Sequence, residues 1–152
     1  MHIRADLALY DPGGRLVALA EVKNRRGTSR DWAAKTRRNI LALGEFGDAE
    51  FLLMITRDRI YLWKDAGTDP VEVPPDYEVD AEATFAPYFE RTGIDPRTVG
   101  GYAFELIVAS WLGDVMWPAL STEADGDDRD WLARSGFRAA VKSGRIEYEA
   151  AA

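Results

Sequence analysis

Alternation of apolar and polar residues opens the chain and predicts two paired strands. Apolar residues stand at every second position over 3–9, and turn-forming residues follow at 11–14. A second alternating segment covers 15–23, where Glu21 and Lys23 project from the same side of the strand. The short turn between the two segments predicts a hairpin.

The next segments change from strand to helix and back. Residues 30–43 are good helix formers, and Thr28 or Ser29 can cap the start of that helix. A short apolar run at 51–56 and an alternating run at 59–64 then predict two further strands. The predicted order of elements is therefore β-β-α-β-β.

Proline and glycine change the pattern in the second half of the chain. Three prolines and several acids over 65–80 predict a linker, because proline is excluded from central strands and helix interiors. A helix is predicted from about 81, and Pro87 within it predicts a kink or a break. Residues 96–116 predict a second helix that is apolar nearly all round and therefore deeply buried.

The C-terminal part is predicted less sharply by its pattern. Residues 121–130 form an acidic loop, Asp128 can cap a short helix to 134, and the segment 137–149 fits either a hairpin or one more helix. The hairpin is the favoured prediction. The whole chain, 1–152, has the length of one α/β domain with a mixed sheet flanked by helices. Within this domain, residues 1–64 supply the core strands and a basic helix, and residues 65–80 form a linker. Residues 81–117 supply the helices that complete the core, and residues 118–152 form an acidic loop and a C-terminal appendage.

Composition removes several classes of function. The 152 residues include 17 aromatics and no cysteine, so the chain is globular and without disulfides, thiolate catalysis or cysteine-bound zinc. The single histidine, His2, makes a Ser-His-Asp triad improbable. The longest apolar stretch is shorter than a membrane span, and no secretory signal pattern opens the chain, which predicts a cytoplasmic protein. Chemistry must therefore come from carboxylates, lysines or a hard metal ion.

The charge is strongly polarised along the chain. The net charge is −7, yet residues 22–38 carry +6 and the remainder carries −13. A basic helix with almost no acids predicts contact with the phosphates of DNA, although a solvated surface is the alternative interpretation. The residues predicted to bind nucleic acid are Arg25, Arg26, Arg30, Lys35 and Arg38.

Two acids on paired strands form the most informative pattern. Asp6 on the first strand and Glu21 on the second can converge on one Mg²⁺ or Mn²⁺ ion, with Lys23 beside Glu21 on the same face. Such an ion would polarise a phosphodiester oxygen, and Lys23 would orient water or offset developing charge. The alternative interpretation is an ordinary polar strand edge, with Asp6 paired to Arg4 or Lys23.

This arrangement of Asp6, a turn, Glu21-x-Lys23 and a following helix resembles the PD-(D/E)XK, or restriction-endonuclease-like, nuclease superfamily. The resemblance covers about residues 3–64 and implies that Asp6 and Glu21 are metal ligands and Lys23 the lysine of the motif. Ala5 stands where a proline often precedes the aspartate. The resemblance implies a restriction-endonuclease-like core that hydrolyses DNA with Mg²⁺ or Mn²⁺.

One departure concerns the helix that normally precedes the first strand in that superfamily, because none precedes it here. The segment 101–108, with Glu105 in its centre, resembles the glycine, glutamate and apolar pattern of that helix. We therefore predict a circularly permuted fold in which residues 96–116 supply the helix and Glu105 a third, accessory metal ligand. A carboxylate in an apolar helix is costly unless it binds a cation, and a buried salt bridge to an arginine is the alternative.

Two functions of different classes follow. The first is a metal-dependent nuclease that hydrolyses phosphodiester bonds in DNA through Asp6, Glu21, Lys23 and Glu105. The second is a nuclease-like scaffold without catalysis, which binds nucleic acid or protein as part of a larger complex. Cutting both strands of DNA would suit a homodimer, but no heptad pattern supports one. No membrane partner is expected.

Overall fold

The computed structural model describes residues 5–44, 47–118 and 130–148. These segments form a six-stranded mixed β-sheet and five helices, which confirms the predicted α/β class. The strands are β1 (Leu7–Tyr10), β2 (Leu16–Val22), β3 (Phe51–Ile55), β4 (Arg59–Lys64), β5 (Tyr77–Asp80) and β6 (Arg145–Tyr148). The helices are α1 (Arg30–Ala42), α2 (Glu82–Thr92), α3 (Gly101–Met116), α4 (Asp130–Arg134) and α5 (Phe137–Val141).

The predicted β-β-α-β-β order is confirmed for the first part of the chain. Strands β1 and β2 form an antiparallel hairpin with Leu7 opposite Ala20. Strand β3 lies parallel to β2, and α1 makes the crossover that a parallel connection needs. Strand β4 then returns antiparallel to β3, so that the full order across the sheet is β5-β4-β3-β2-β1-β6.

Helix α1 begins where its capping residue predicts. The side chain of Ser29 accepts a hydrogen bond of 3.1 Å from the backbone N–H of Trp32, which satisfies one of the open donors of the first turn. Ala33 and Ala34 are buried, and Ala33 packs on the sheet. The chain leaves the helix at Gly44, whose φ of +70° is readily adopted only by glycine.

The sheet is covered by helices on both faces. Ala33 of α1 packs against Met54, Tyr61 and Trp63 on one face. The opposite face carries the larger core, formed by Ala18, Ala20, Leu53 and Ile55 with the apolar residues of α2, α3, α4 and α5. Alternation along β2 therefore directs Ala20 towards α2 and α3, and Glu21 towards the face covered by α1.

The predicted linker at 65–80 is partly wrong, because its last four residues form β5. The three prolines precede this strand, so every N–H of the strand remains available for pairing. Strand β5 pairs antiparallel with β4 at one edge of the sheet, and Tyr77 and Val79 are half-buried against the core. Edge position explains why a short strand tolerates the neighbouring prolines.

Helix α2 is continuous through Pro87, so the predicted break does not occur. Pro87 has no N–H to donate to the carbonyl of Ala83. Because Ala83 is exposed, water can donate the missing hydrogen bond to that carbonyl. Helix α3 begins at Gly101 and not at 96. Asp95 caps a single turn only, because its side chain accepts a hydrogen bond of 2.9 Å from the backbone N–H of Arg97. The two glycines at 100–101 then disfavour the continuation of this turn into a longer helix.

The favoured prediction of a C-terminal hairpin is wrong. Residues 137–141 form helix α5, and the strand after it, β6, pairs antiparallel with β1. The open edge of β1 offers β6 a full row of backbone hydrogen-bonding groups. A separate two-stranded hairpin within 137–149 would have no such sheet to pair with and would be only marginally stable. The acidic loop at 121–129, with its capping residue Asp128, lies outside the described residues, and the short helix to Arg134 is present from 130.

In the part of the chain that the structure describes, no helix has both the length and the apolarity needed to cross a bilayer. The longest, α3, has 16 residues and packs into the core.

Candidate functional site

Asp6 and Glu21 face one another at the end of the β1–β2 hairpin. Leu7 pairs with Ala20 in this antiparallel hairpin, so Asp6, one residue before Leu7, lies opposite Glu21, one residue after Ala20. The backbone N–H of Asp6 donates to Oε1 of Glu21 at 3.2 Å, and the backbone N–H of Val22 donates to Oδ2 of Asp6 at 2.7 Å. Each carboxylate is therefore held by the strand that carries the other one.

Glu21 is the most unusual acid among the described residues. Only 6% of the residue is exposed, and it is the single acid among the buried polar residues of that part of the chain. Its burial, together with the nearby charge of Asp6, raises the pKa of Glu21 from 4.5 to about 7. Lys23 and the hydrogen bond from Asp6 oppose this rise in pKa. The site thus holds a carboxylate that is costly to ionise without a cation.

Lys23 lies beside Glu21, as the alternation along β2 predicts. Its Nζ is 3.5 Å from Oε2 of Glu21, and 39% of its side chain is exposed. The backbone N–H of Lys23 donates to the carbonyl of Ile55 at 2.9 Å, which extends the parallel pairing of β2 and β3 by one residue. A lysine that is held by its backbone and has part of its side chain exposed can contact an incoming anion.

The carboxylate oxygens of Asp6 and Glu21 are suitable ligands for a small, hard cation. Mg²⁺ takes oxygen ligands and is commonly bound by one or two carboxylates together with substrate phosphates and water. A divalent ion would also offset the two effects that raise the pKa of Glu21, namely burial and the charge of Asp6. The pair therefore fits the predicted Mg²⁺ or Mn²⁺.

The described residues contain no group of three or more acidic or histidine side chains that could hold a metal ion. Glu105, predicted as a third ligand, lies half-buried in α3, which packs on the sheet face opposite to α1. The start of α3 nevertheless lies near the site, because Nδ2 of Asn24 donates to the carbonyl of Val99 at 3.0 Å. The metal role of Glu105 stays a prediction.

The five residues predicted to bind nucleic acid all have partners within the protein. Three of them form ion pairs with acids from elsewhere in the chain or the same helix, at 3.0, 2.9 and 3.1 Å (Arg26–Glu82, Lys35–Asp31 and Arg38–Glu72). Arg30 donates to the carbonyl of Pro75 at 3.0 Å, and the guanidinium carbon of Arg25 lies 5.1 Å from the ring centre of Trp32. The local charge of +6 is thus partly offset by acids that the sequence places far away.

Arg37, which stands among these cations in the sequence, has a different role. It is 1% exposed and donates to the carbonyls of Val71, Ala66 and Gly67 at 3.0–3.3 Å. Its guanidinium group fastens the segment before β5 to helix α1. Arg37 is therefore a structural residue and is not available to phosphates.

A polar network that the sequence reasoning missed holds the loop following Lys23. Oδ2 of Asp58 accepts from the backbone N–H of Gly27 at 3.1 Å, and Thr28 is hydrogen-bonded to the Tyr61 hydroxyl at 2.8 Å. Thr56, fully buried, donates to Oδ1 of Asp58 at 3.1 Å. The signal for this network is the Thr-Arg-Asp sequence at 56–58, between β3 and β4.

Comparison of the chain with protein-family models, with curated proteins and with solved structures gave no match. Interpretation of the site therefore depends on its own geometry.

Proposed function

We propose that the chain is a metal-dependent nuclease that hydrolyses phosphodiester bonds in DNA. The observation that carries the proposal is the reciprocal pairing of Asp6 and Glu21 across the hairpin, with the Lys23 ammonium 3.5 Å from Glu21. Two acids and a lysine at the end of adjacent strands are a suitable set for binding Mg²⁺ beside a phosphodiester.

We further propose that the fold is a circularly permuted restriction-endonuclease-like core. Support comes from the order β1-β2-α1-β3-β4 around the acids, and from the contact between Asn24 and Val99, which brings the start of α3 to the strand that carries Lys23. In this proposal α3 replaces the helix that would otherwise precede the first strand, and Glu105 is an accessory ligand.

Each residue of the site has a distinct task in the proposed reaction. Asp6 and Glu21 hold the ion, which when bound supplies Lewis-acid polarisation of the scissile phosphate. Glu21 must lose its proton first, so its pKa of about 7 makes metal affinity rise through neutral pH. Lys23, whose side chain is partly exposed, donates from its ammonium to a non-bridging oxygen and stabilises the charge that develops there.

The test is cleavage of labelled single-stranded, duplex and branched DNA in Mg²⁺ or Mn²⁺. Asp6→Asn, Glu21→Gln and Lys23→Met keep the size of each side chain and remove its charge. We expect each to lower the cleavage rate at least 100-fold, the scale of losing a group that stabilises transition-state charge. The matched control is Lys142→Met, which removes an exposed lysine that no part of the proposed site contacts.

Two results would contradict the proposal. The first is wild-type protein that cuts none of the three DNA forms in either metal. The second is cleavage that survives in Asp6→Asn and Glu21→Gln, because that activity would come from elsewhere or from a contaminant. Glu105→Gln tests the accessory role separately, with a smaller loss of rate and a weaker apparent affinity for Mg²⁺ expected.

A second candidate function is the scaffold without catalysis. It is favoured by the finding that the described residues hold no three-ligand metal group, and by the contact of Lys23 with Glu21, which partly neutralises the carboxylate. Thermal melting with and without 10 mM Mg²⁺ separates the two candidates. An ion that binds the folded chain raises Tm by mass action, whereas a scaffold without a metal site shows no shift.

A further inference from the structure

A groove between α2 and the loops that follow β2 and β3 has the size of a small-ligand site. Its volume is about 480 Å³, within the range of about 300–1,000 Å³ usual for such sites. Phe85, Phe89, Ala86 and Ile94 supply an apolar lining. A flat apolar group could therefore enter the groove, because its transfer from water to an apolar lining has little free-energy cost.

The rim of the groove is charged and includes an incompletely bonded arginine. Arg57 donates from Nη1 to the carbonyl of Pro96 at 3.3 Å, while its buried Nε has no hydrogen-bond partner within the described chain. Arg26, also on the rim, is held by an exposed ion pair with Glu82. Exposed pairs of this kind are weak, so an incoming anion can compete for the guanidinium group.

The groove lies next to the proposed metal site along the chain. Arg26 is three residues after Lys23, so their Cα atoms are at most about 11 Å apart. Arg57 is joined to the same loop, since its backbone N–H donates to the carbonyl of Arg25 at 3.1 Å. A nucleic-acid strand that crosses the ends of β2 and β3 would pass from Lys23 over this loop and reach the groove.

We infer that the groove binds an unpaired base of the DNA substrate, a nucleotide near the one that is cut, while Arg57 contacts its phosphate. This inference rests on the proposed function and adds to it a substrate class, a single-stranded or locally unpaired strand. A base presents a flat apolar face to the Phe89 side of the groove. The rim carries Glu82 and Glu90 as well as Arg26 and Arg57, and Arg57, which forms no ion pair with either glutamate among the described contacts, supplies the positive charge for the phosphate.

The experiment compares two strands of equal length by fluorescence anisotropy, in EDTA so that no cleavage occurs. One is a labelled 12-nucleotide single strand, and the other is the same backbone without bases. Wild-type protein should bind the strand with bases about tenfold more tightly, the scale of one stacked base. Ala86→Leu fills the groove from an exposed helix position and should abolish this preference, whereas Ala83→Leu, exposed on the same helix outside the groove, should keep it.

Arg57→Gln provides a second readout. It should weaken binding of both strands by a similar factor, because a phosphate contact does not depend on the base. Urea unfolding of each variant shows whether a loss of binding follows from a loss of structure.

The inference is overturned by equal binding of the two strands to wild-type protein, or by a base preference that survives in folded Ala86→Leu. Failure of the proposed function has a different signature. In that case Mg²⁺ added to the same wild-type protein produces no cleavage, whatever the preference measured in EDTA.

Discussion

Replacing Glu21 with glutamine should stabilise the protein at alkaline pH in the absence of metal. The pKa of Glu21 is about 7 in the folded chain against an ordinary value of 4.5. Between these values the folded chain keeps a proton that the unfolded chain has lost, so the free energy of unfolding falls as pH rises. At about 1.4 kcal/mol per pKa unit, ionising buried Glu21 costs roughly 3 kcal/mol above pH 8. Glutamine keeps the acceptor for the Asp6 N–H and does not ionise.

The assay is urea unfolding of wild type and Glu21→Gln in EDTA at pH 5.0 and pH 8.5. We expect the variant to be more stable by about 1 kcal/mol at the lower pH and by about 3 kcal/mol at the higher pH. In thermal melts the larger difference corresponds to roughly 6–12 °C for a chain of this size. The matched control, Glu90→Gln, removes an exposed glutamate and should show the same small effect at both pH values.

A constant difference between wild type and Glu21→Gln at the two pH values would refute the reasoning about burial. A variant less stable than wild type at pH 8.5 would refute it more directly, because the negative charge would then stabilise the fold. In both cases the proposed need of Glu21 for a cation would lose its physical basis.

Three other predictions concern structure and binding. Arg37→Ala should lower the free energy of unfolding in urea by about 3 kcal/mol or more, because three carbonyls lose a buried charged donor. Arg38→Ala removes only an exposed ion pair and should lower it by less than about 1 kcal/mol. Gly144→Ala should lower Tm strongly, because its Cβ would clash with the carbonyl oxygen of Tyr10 and push β6 away from β1. An unchanged Tm would contradict this packing. DNA affinity should fall steeply between 50 and 200 mM salt, measured by anisotropy, and Lys23→Met should reduce that salt slope by about one.

The strands and the first helix could be predicted because each has a local signal. Alternation marks β1, β2 and β4, and the Ser29 cap with Gly44 marks the limits of α1. These signals depend on residues close together in the sequence. The position of Asp6 directly opposite Glu21 has no such signal, because the register shifts by one residue between Leu9 and Tyr10. Without that shift, the pairing of Tyr10 with Leu16 would place Asp6 opposite Ala20.

The features that could not be predicted depend on distant partners. Strand β6 is a strand because β1 has an open edge, and β5 pairs with β4 despite three prolines just before it. The partners of the basic helix are equally distant, since Glu82 and Glu72 neutralise Arg26 and Arg38 across the fold. Trp63 and Trp111 are buried in the core, whereas Trp32 is only half-buried, next to Arg25.

The pairing of β1 with β6 also sets the order in which the protein can assemble. Leu7 lies opposite Tyr148, so one side of the strand next to Asp6 is completed by a contact between residues 141 positions apart. Loop closure over such a distance is slow and follows the local hairpins. On a ribosome, the sheet from β2 to β5 can form while β1 still has an open edge, and the hairpin that holds Asp6 becomes an interior part of the sheet only after residue 148 has emerged.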